Sequence, residues 1–204
     1  MTHRSRQIRL TLAAVATGTA VAVGLAAPAA TAASGGPAFL KPGELPPHPT
    51  SSWYAGRVTP GQPDPLPICV GESLPSISSH RTFWTEYDTN ALQVTVVERS
   101  AQRAANFATL LRKKIRECAT TLERQDPDMT ATGRYYGRLN VEEGADVYGL
   151  HTASSWGASD IALLSVGRDG RTVTFVKWAQ MGTFRDAQVA DFKKTTRTAV
   201  NKLY

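Results

Sequence analysis

The sequence predicts an α+β fold in which an antiparallel sheet packs against two main helices. Three observations carry this. Residues 101–125 repeat apolar side chains every three or four positions. A hairpin centred on Asp169-Gly170 is apolar on both of its faces. The element order is strand, long helix, several antiparallel strands, helix, with no internal repeat.

The chain opens with a segment built like a secretory signal peptide, residues 1–33. Arg4, Arg6 and Arg9 form a positive head, and an alanine-rich apolar stretch runs from Leu10 to Ala30. Ala30-Thr31-Ala32 offers a small-x-small cleavage site, so the mature chain is expected to start near Ala33 or Ser34. A membrane anchor is the competing reading, but Thr and Gly dilute the apolar stretch. Without Arg4, Arg6 and Arg9 the formal charge of +6 falls to +3, which weakens the case for a polyanionic partner. A secreted localisation, a monomer and no stable transmembrane segment in the mature chain are expected.

Residues 34–67 are rich in Gly and Pro and read as an extended leader, interrupted by Trp53 and Tyr54. The single α+β domain is then expected over 68–204. Cys69 and Cys118 are the only cysteines, and in an exported chain they predict one disulfide. The 49 positions between them correspond to a loop-closure benefit of about 4 kcal/mol on the chain-entropy model.

Within the domain, "NALQVTVVERS" alternates as a strand, and Ser100 is placed to cap the long helix after it. Ala104, Phe107, Ala108, Leu111, Ile115, Cys118 and Leu122 form that helix's apolar stripe. It should stop by Asp126-Pro127, because a residue preceding proline avoids the helical region. "ATGRYYGRLN" and "ADVYGLHTA" read as strands joined by the acidic link "VEEG". A primed turn at Asp169-Gly170 would pair Val166 with Val173, Leu164 with Phe175 and Ala162 with Lys177. It would set Leu163 against Val176 and Ile161 against Trp178 on the other face, with Lys177 near Asp160 as an ion pair. Gly182 marks the end of the last strand. Asp186 is a plausible cap for a final helix whose stripe is Val189, Phe192, Thr196, Ala199 and Leu203.

Chemistry is sparsely signalled. The chain contains no glycine-rich phosphate loop, no HExxH and no serine elbow. His48, His80 and His151 are widely spaced, so neither a metal site nor a cofactor is expected. Glu142 and Glu143 are sequence neighbours and read as a solvated acidic turn, not as facing carboxylates. Ser159, Ser165 and His151 allow a nucleophilic triad only in composition. The run Arg112, Lys113, Lys114 and Arg116 reads as a solvated helix face, and nothing points to nucleic acid. Tyr136, Tyr148, Trp156, Trp178 and Gln180 are the candidate ligand-binding residues, because the rings serve equally as groove wall or as core.

"CVGESLP", "QVTVVERSAQRAANFATLLRKKIRECATTL" and "VGRDGRTVTFVKWAQMG", with "FKKTTRTAVNKLY" at the end, resemble the secreted sensor-type domains of actinobacteria. These are similar to the extracellular domain of PknH-like receptor kinases. The resemblance spans roughly 66–204 and implies an α+β sandwich whose layers enclose a groove for an unknown extracellular or cell-wall ligand. It implies no catalysis, and by analogy a stabilising disulfide at Cys69 and Cys118. The receptor relatives can hold two disulfides, whereas this chain can make one. The expectation is therefore a secreted, non-enzymatic ligand-binding or sensor-like module. The alternatives are a small secreted hydrolase with a site assembled from non-local residues, and an extracellular inhibitor or protein-interaction module.

Overall fold

Strand pairing builds outward from the two-faced hairpin. A computed structural model describes residues 36–204. It contains β1 (Tyr54–Ala55), β2 (Thr59–Pro60), β3 (Ser79–Trp84), β4 (Asn90–Val97), α1 (Ala101–Gln125), β5 (Met129–Leu139), β6 (Ala145–Ser154), β7 (Ser159–Asp169), β8 (Thr172–Met181) and α2 (Val189–Asn201). The strands form one antiparallel, eight-stranded sheet ordered β1-β3-β4-β8-β7-β6-β5, with β2 also on β3. The predicted fold class, an antiparallel sheet with two helices, is the fold observed. The expected signal peptide, residues 1–33, lies outside the described residues. Among those described, no helix is long and apolar enough to cross a membrane.

α1 covers one face of the sheet. Ser100 Oγ accepts the Arg103 N–H at 3.3 Å and starts the helix, which ends at Gln125 before Asp126-Pro127. Its Ala104, Phe107, Ala108, Leu111, Ile115 and Cys118 are buried against Leu92, Val94, Val96, Leu164, Val166, Val173 and Phe175. Cys118 is bonded to Cys69, with Cα atoms 5.2 Å apart, so the helix is pinned to the segment that carries Val70 and Leu74 into the same core.

The opposite face is covered by α2 together with the supposed leader, and here the expectation is corrected. Leu40 is fully buried and Leu45 nearly so, beside Phe83, Trp178, Phe192 and Leu203. The Leu40 N–H donates to Oε1 of the fully buried Gln93 at 2.7 Å, and its carbonyl accepts from Arg81 at 2.9 Å. Thr195 donates to the Glu44 carbonyl at 2.7 Å, and Lys202 pairs with the Glu44 carboxylate at 3.1 Å. The folded unit thus begins well before Cys69. Proline and glycine deprive 36–67 of a readable period, but a chain can bury side chains without one. α2 buries Phe192, Thr195, Thr196, Ala199 and Val200. It starts at Val189 without help from Asp186, whose carboxylate instead accepts from Thr183 N–H and Oγ in the preceding turn.

The hairpin register also differs from expectation. The turn residues are Gly170 and Arg171, and Asp169 pairs with Thr172. Only Gly170 has a positive φ, +51°, which fits a Gly-X turn and not the two left-handed residues of an Asp-Gly one. Glu143 supports this position by accepting the Gly170 N–H at 2.9 Å, so the acidic link is not wholly solvated. Val166 consequently faces Phe175, Leu164 faces Lys177, Leu163 faces Trp178 and Ile161 faces Gln180. Every partner moves by two residues, so each side chain keeps its predicted face. Asp160 now lies opposite Met181 and makes no ion pair with Lys177. Burial pushes the Lys177 ammonium below its ordinary value, and the charge of Asp160 only partly opposes that.

Because the leader belongs to the core, Leu40→Ala should destabilise the protein by about 2–4 kcal/mol, the cost of a cavity at a fully buried leucine. Denaturant unfolding measures this. An unchanged midpoint would mean that 36–67 does not fold with the sheet.

Candidate functional site

The five predicted ligand-binding residues do not converge. Trp178 is fully buried among Ala91, Leu163 and Phe192 on the α2 side, and its Nε1 has no partner. Tyr148 is buried on the opposite face beneath α1, where desolvation raises its phenol pKa. These two are core, one of the two roles open to the rings, and do not line a groove. Trp156 sits in the β6–β7 turn and is 79% exposed. Gln180 is tied to the Thr89 hydroxyl at 3.5 Å and to the Asp186 carbonyl at 3.4 Å. Tyr136 lines no groove among the described residues, but its ring lies beside that of Phe184 over Gly149, next to a concave site with polar side chains.

That site lies on the α2 face, near the β5 edge of the sheet. A groove of about 540 Å³ is lined by Arg134, His151, Thr183, Phe184 and Arg185. β5 supplies Arg134, β6 supplies His151, and the loop between β8 and α2 supplies the rest. Gly149 makes room for this loop. A Cβ there would lie 2.7 Å from a Tyr136 ring carbon and 3.1 Å from a Phe184 ring carbon. The Phe184 ring then holds two neighbours. The Arg134 guanidinium stands 4.0 Å above its centroid, and the His151 ring is 5.7 Å away at a tilt of 50°. The result is an aromatic floor rimmed by two guanidiniums and an imidazole. No carboxylate lines it, since Asp186 is turned into its own loop.

His151 also meets a serine, as the hydrolase alternative requires. Its Nε2 lies 2.9 Å from Ser159 Oγ. The hydroxyl, however, donates to the Gly182 carbonyl at 3.1 Å, so the imidazole serves as donor to the oxygen and not as its base. No carboxylate hydrogen-bonds His151 among the described residues, and Ser165 is 3.0 Å from Thr196 Oγ in the α2 interface. His80 meets only the Gly61 carbonyl, at 3.0 Å. No cluster of three metal-ligating side chains occurs among the described residues.

A second groove, of about 320 Å³, runs beside the disulfide between 66–72 and α1. Leu66, Ile68 and Leu122 form its apolar floor, and Lys114, Glu117 and Gln125 its rim. It is the more enclosed of the two. Its charges are of both signs, and it brings together no group set for proton transfer.

What positions the first groove is an ion-pair clamp on the other side of the sheet. Asp146 is buried and takes Arg112 Nε at 2.7 Å, a close ion pair without linear hydrogen-bond geometry. It also accepts from Arg138 at 3.1 Å and from the Tyr135 hydroxyl at 2.7 Å. Arg112 therefore leaves the solvated face predicted for it. A β-bulge between Tyr135 and Gly137 makes the clamp possible. It turns Tyr135 and Arg138 to the α1 face, although they are three residues apart, and leaves Arg134 and Tyr136 on the α2 face.

Sequence reading missed Arg134, Phe184 and Arg185. They come from two elements 50 residues apart, and only Gly149, a small residue under two rings, hints at their meeting. No family model, curated protein or solved structure matches the chain.

The Tyr135 phenol is pushed up to about 12, chiefly by its hydrogen bond to Asp146, then by desolvation and the Asp146 charge. The bond's contribution to stability is complete below the ordinary value of 10.0 and is lost as pH rises through about 12. A phenolate titration of the folded protein should show one ionisation near 12 that Tyr135→Phe removes. A Tyr135 titrating at the ordinary value would exclude the bond.

Proposed function

We propose that this chain is an exported, non-enzymatic binding module of the extracellular space or cell envelope, whose groove beside Phe184 takes an anionic group. The observation that carries the reading is the groove's rim: Arg134, Arg185 and His151 surround one aromatic ring, and no acid lines it. Guanidiniums present paired N–H donors that match a carboxylate or phosphate, and stacking on a ring fixes one of them in advance. The Cys69–Cys118 bond is at home in an oxidising compartment, in keeping with export. The resemblance to the extracellular domains of PknH-like receptor kinases, which implies binding without catalysis, agrees with it.

The hydrolase reading keeps one observation in its favour, the 2.9 Å approach of His151 Nε2 to Ser159 Oγ. The hydroxyl's bond to the Gly182 carbonyl weighs against it, because a nucleophile must give its proton to the base.

Titration calorimetry with inorganic phosphate and with carboxylate-bearing wall peptides tests the binding reading. Arg134→Ala and Arg185→Ala should each weaken binding about tenfold, the worth of one charge-assisted hydrogen bond. Ser159→Ala should leave it unchanged. Saturable binding that ignores both arginines would remove the groove from the account. Ester turnover abolished by Ser159→Ala would replace the proposal with the hydrolase.

A further inference from the structure

We infer that a second groove on the α2 face, at the opposite edge of the sheet, binds a neutral sugar stacked on the rings of His48 and Tyr87. This site is independent of the anion groove, and its composition is different in kind. The groove lies in the leader turn over 42–53, and the β3–β4 turn over 85–89 packs beside it. Ser51 Oγ accepts the Glu86 N–H at 3.0 Å and ties the two together. Trp53 Nε1 donates to the Pro46 carbonyl at 2.7 Å and closes the leader turn on itself.

The leader turn itself walls a groove of about 400 Å³, lined by Leu45, Pro47, His48, Ser51, Ser52 and Trp53 among others, and Tyr87 of the β3–β4 turn adjoins it through its stack on the His48 ring. That volume is within the range of small-molecule sites. No Lys, Arg, Asp or Glu lines it. An ionic ligand would lose its water there without gaining a countercharge, so the complementary occupant is neutral. The polar groups that are present suit hydroxyls. Ser51 and Ser52 carry hydroxyls of their own. His48 Nδ1 accepts the Thr50 N–H at 3.3 Å, so the neutral ring carries its proton on Nε2, ready to donate.

The rings supply the other half of sugar recognition, an apolar plane for the C–H face of a pyranose. Tyr87 is 58% exposed and lies against His48 with ring centres 5.4 Å apart and planes within 15°. A second stacked pair adjoins the same turn. Tyr54 and Trp84 are cross-strand partners with ring centres 6.2 Å apart, and the Tyr54 hydroxyl donates to Glu86 at 3.1 Å. Both rings are exposed, so the β1–β3 edge carries four aromatic rings around one turn. A folded chain leaves so much apolar ring surface in water where a partner covers it. An uncharged, hydroxyl-bearing groove favours a saccharide over a protein.

The test is titration of the whole protein with short oligomers of N-acetylglucosamine and of glucose, followed by tryptophan fluorescence and by calorimetry. Trp53 lines the site, so one of the two series should give a saturable signal. Tyr87→Ala should weaken binding about tenfold or more. Tyr87→Phe, which keeps the ring, should restore it. Trp156→Ala, at the far β6–β7 turn, and Arg134→Ala, in the anion groove, should have no effect. Two results would overturn the inference: no saturable binding of either series, or binding equal in wild type and Tyr87→Ala. Occupation of this edge by a peptide or protein while both sugar series fail would assign it to a protein partner instead.

Discussion

A hairpin that is apolar on both faces constrains everything around it. β7 and β8 send Leu164, Val166, Val173 and Phe175 to one side and Ile161, Leu163, Val176 and Trp178 to the other. An antiparallel sheet with one wet face would offer half of these to water, at a cost of about 1.5–3 kcal/mol for each large side chain. Two covers are therefore required. α1 alone supplies most of the first. α2, with 13 residues, is too short to supply the second, and the segment from Leu40 to Trp53 completes it. The polar contacts follow from this division. Gln93 is buried because the leader crosses it, and it is tolerated because Leu40 and Thr174 satisfy its amide.

How much of this the sequence declares depends on how far apart the interacting residues lie. The Ser100 cap, the stop before Pro127, the stripe of α1 and the faces of the hairpin are local, and each was readable from a window of a few residues. Cys69 and Cys118 were readable because two cysteines leave one pairing. The leader's burial was not, since Leu40 meets Gln93 across 53 positions and no period marks either partner. Arg112 sits in a basic run that looks solvated, and only the fold places Asp146 beneath it. The anion groove was the least legible feature. Its floor, Phe184, belongs to a loop, and its arginines come from a strand and that loop. The rings that did stand out in the sequence, Trp178 and Tyr148, were conspicuous because they are core.

The two edges of the sheet thus carry unlike surfaces. The β5 edge is cationic around one phenylalanine, and the groove at the β1–β3 edge has no charged residue in its lining and four rings about it. The first combines two strand residues with the β8–α2 loop, and the second is built by the leader and the β3–β4 turn. Such a division lets the surfaces vary while the frame stays fixed.

The bulge at Tyr135–Gly137 couples the frame to one of these surfaces. By adding one residue to β5 it reverses the alternation of the strand at that point. Downstream, Arg138 reaches Asp146; upstream, Arg134 reaches Phe184. The two arginines are four positions apart, a spacing that strict alternation would carry on one side, and the bulge is what sends them to opposite faces. A single insertion is in this sense a phase marker. In another chain of this architecture it is the spacing of the two arginines taken together with the bulge, even with it and odd without it, that lets one reach the clamp and the other the groove.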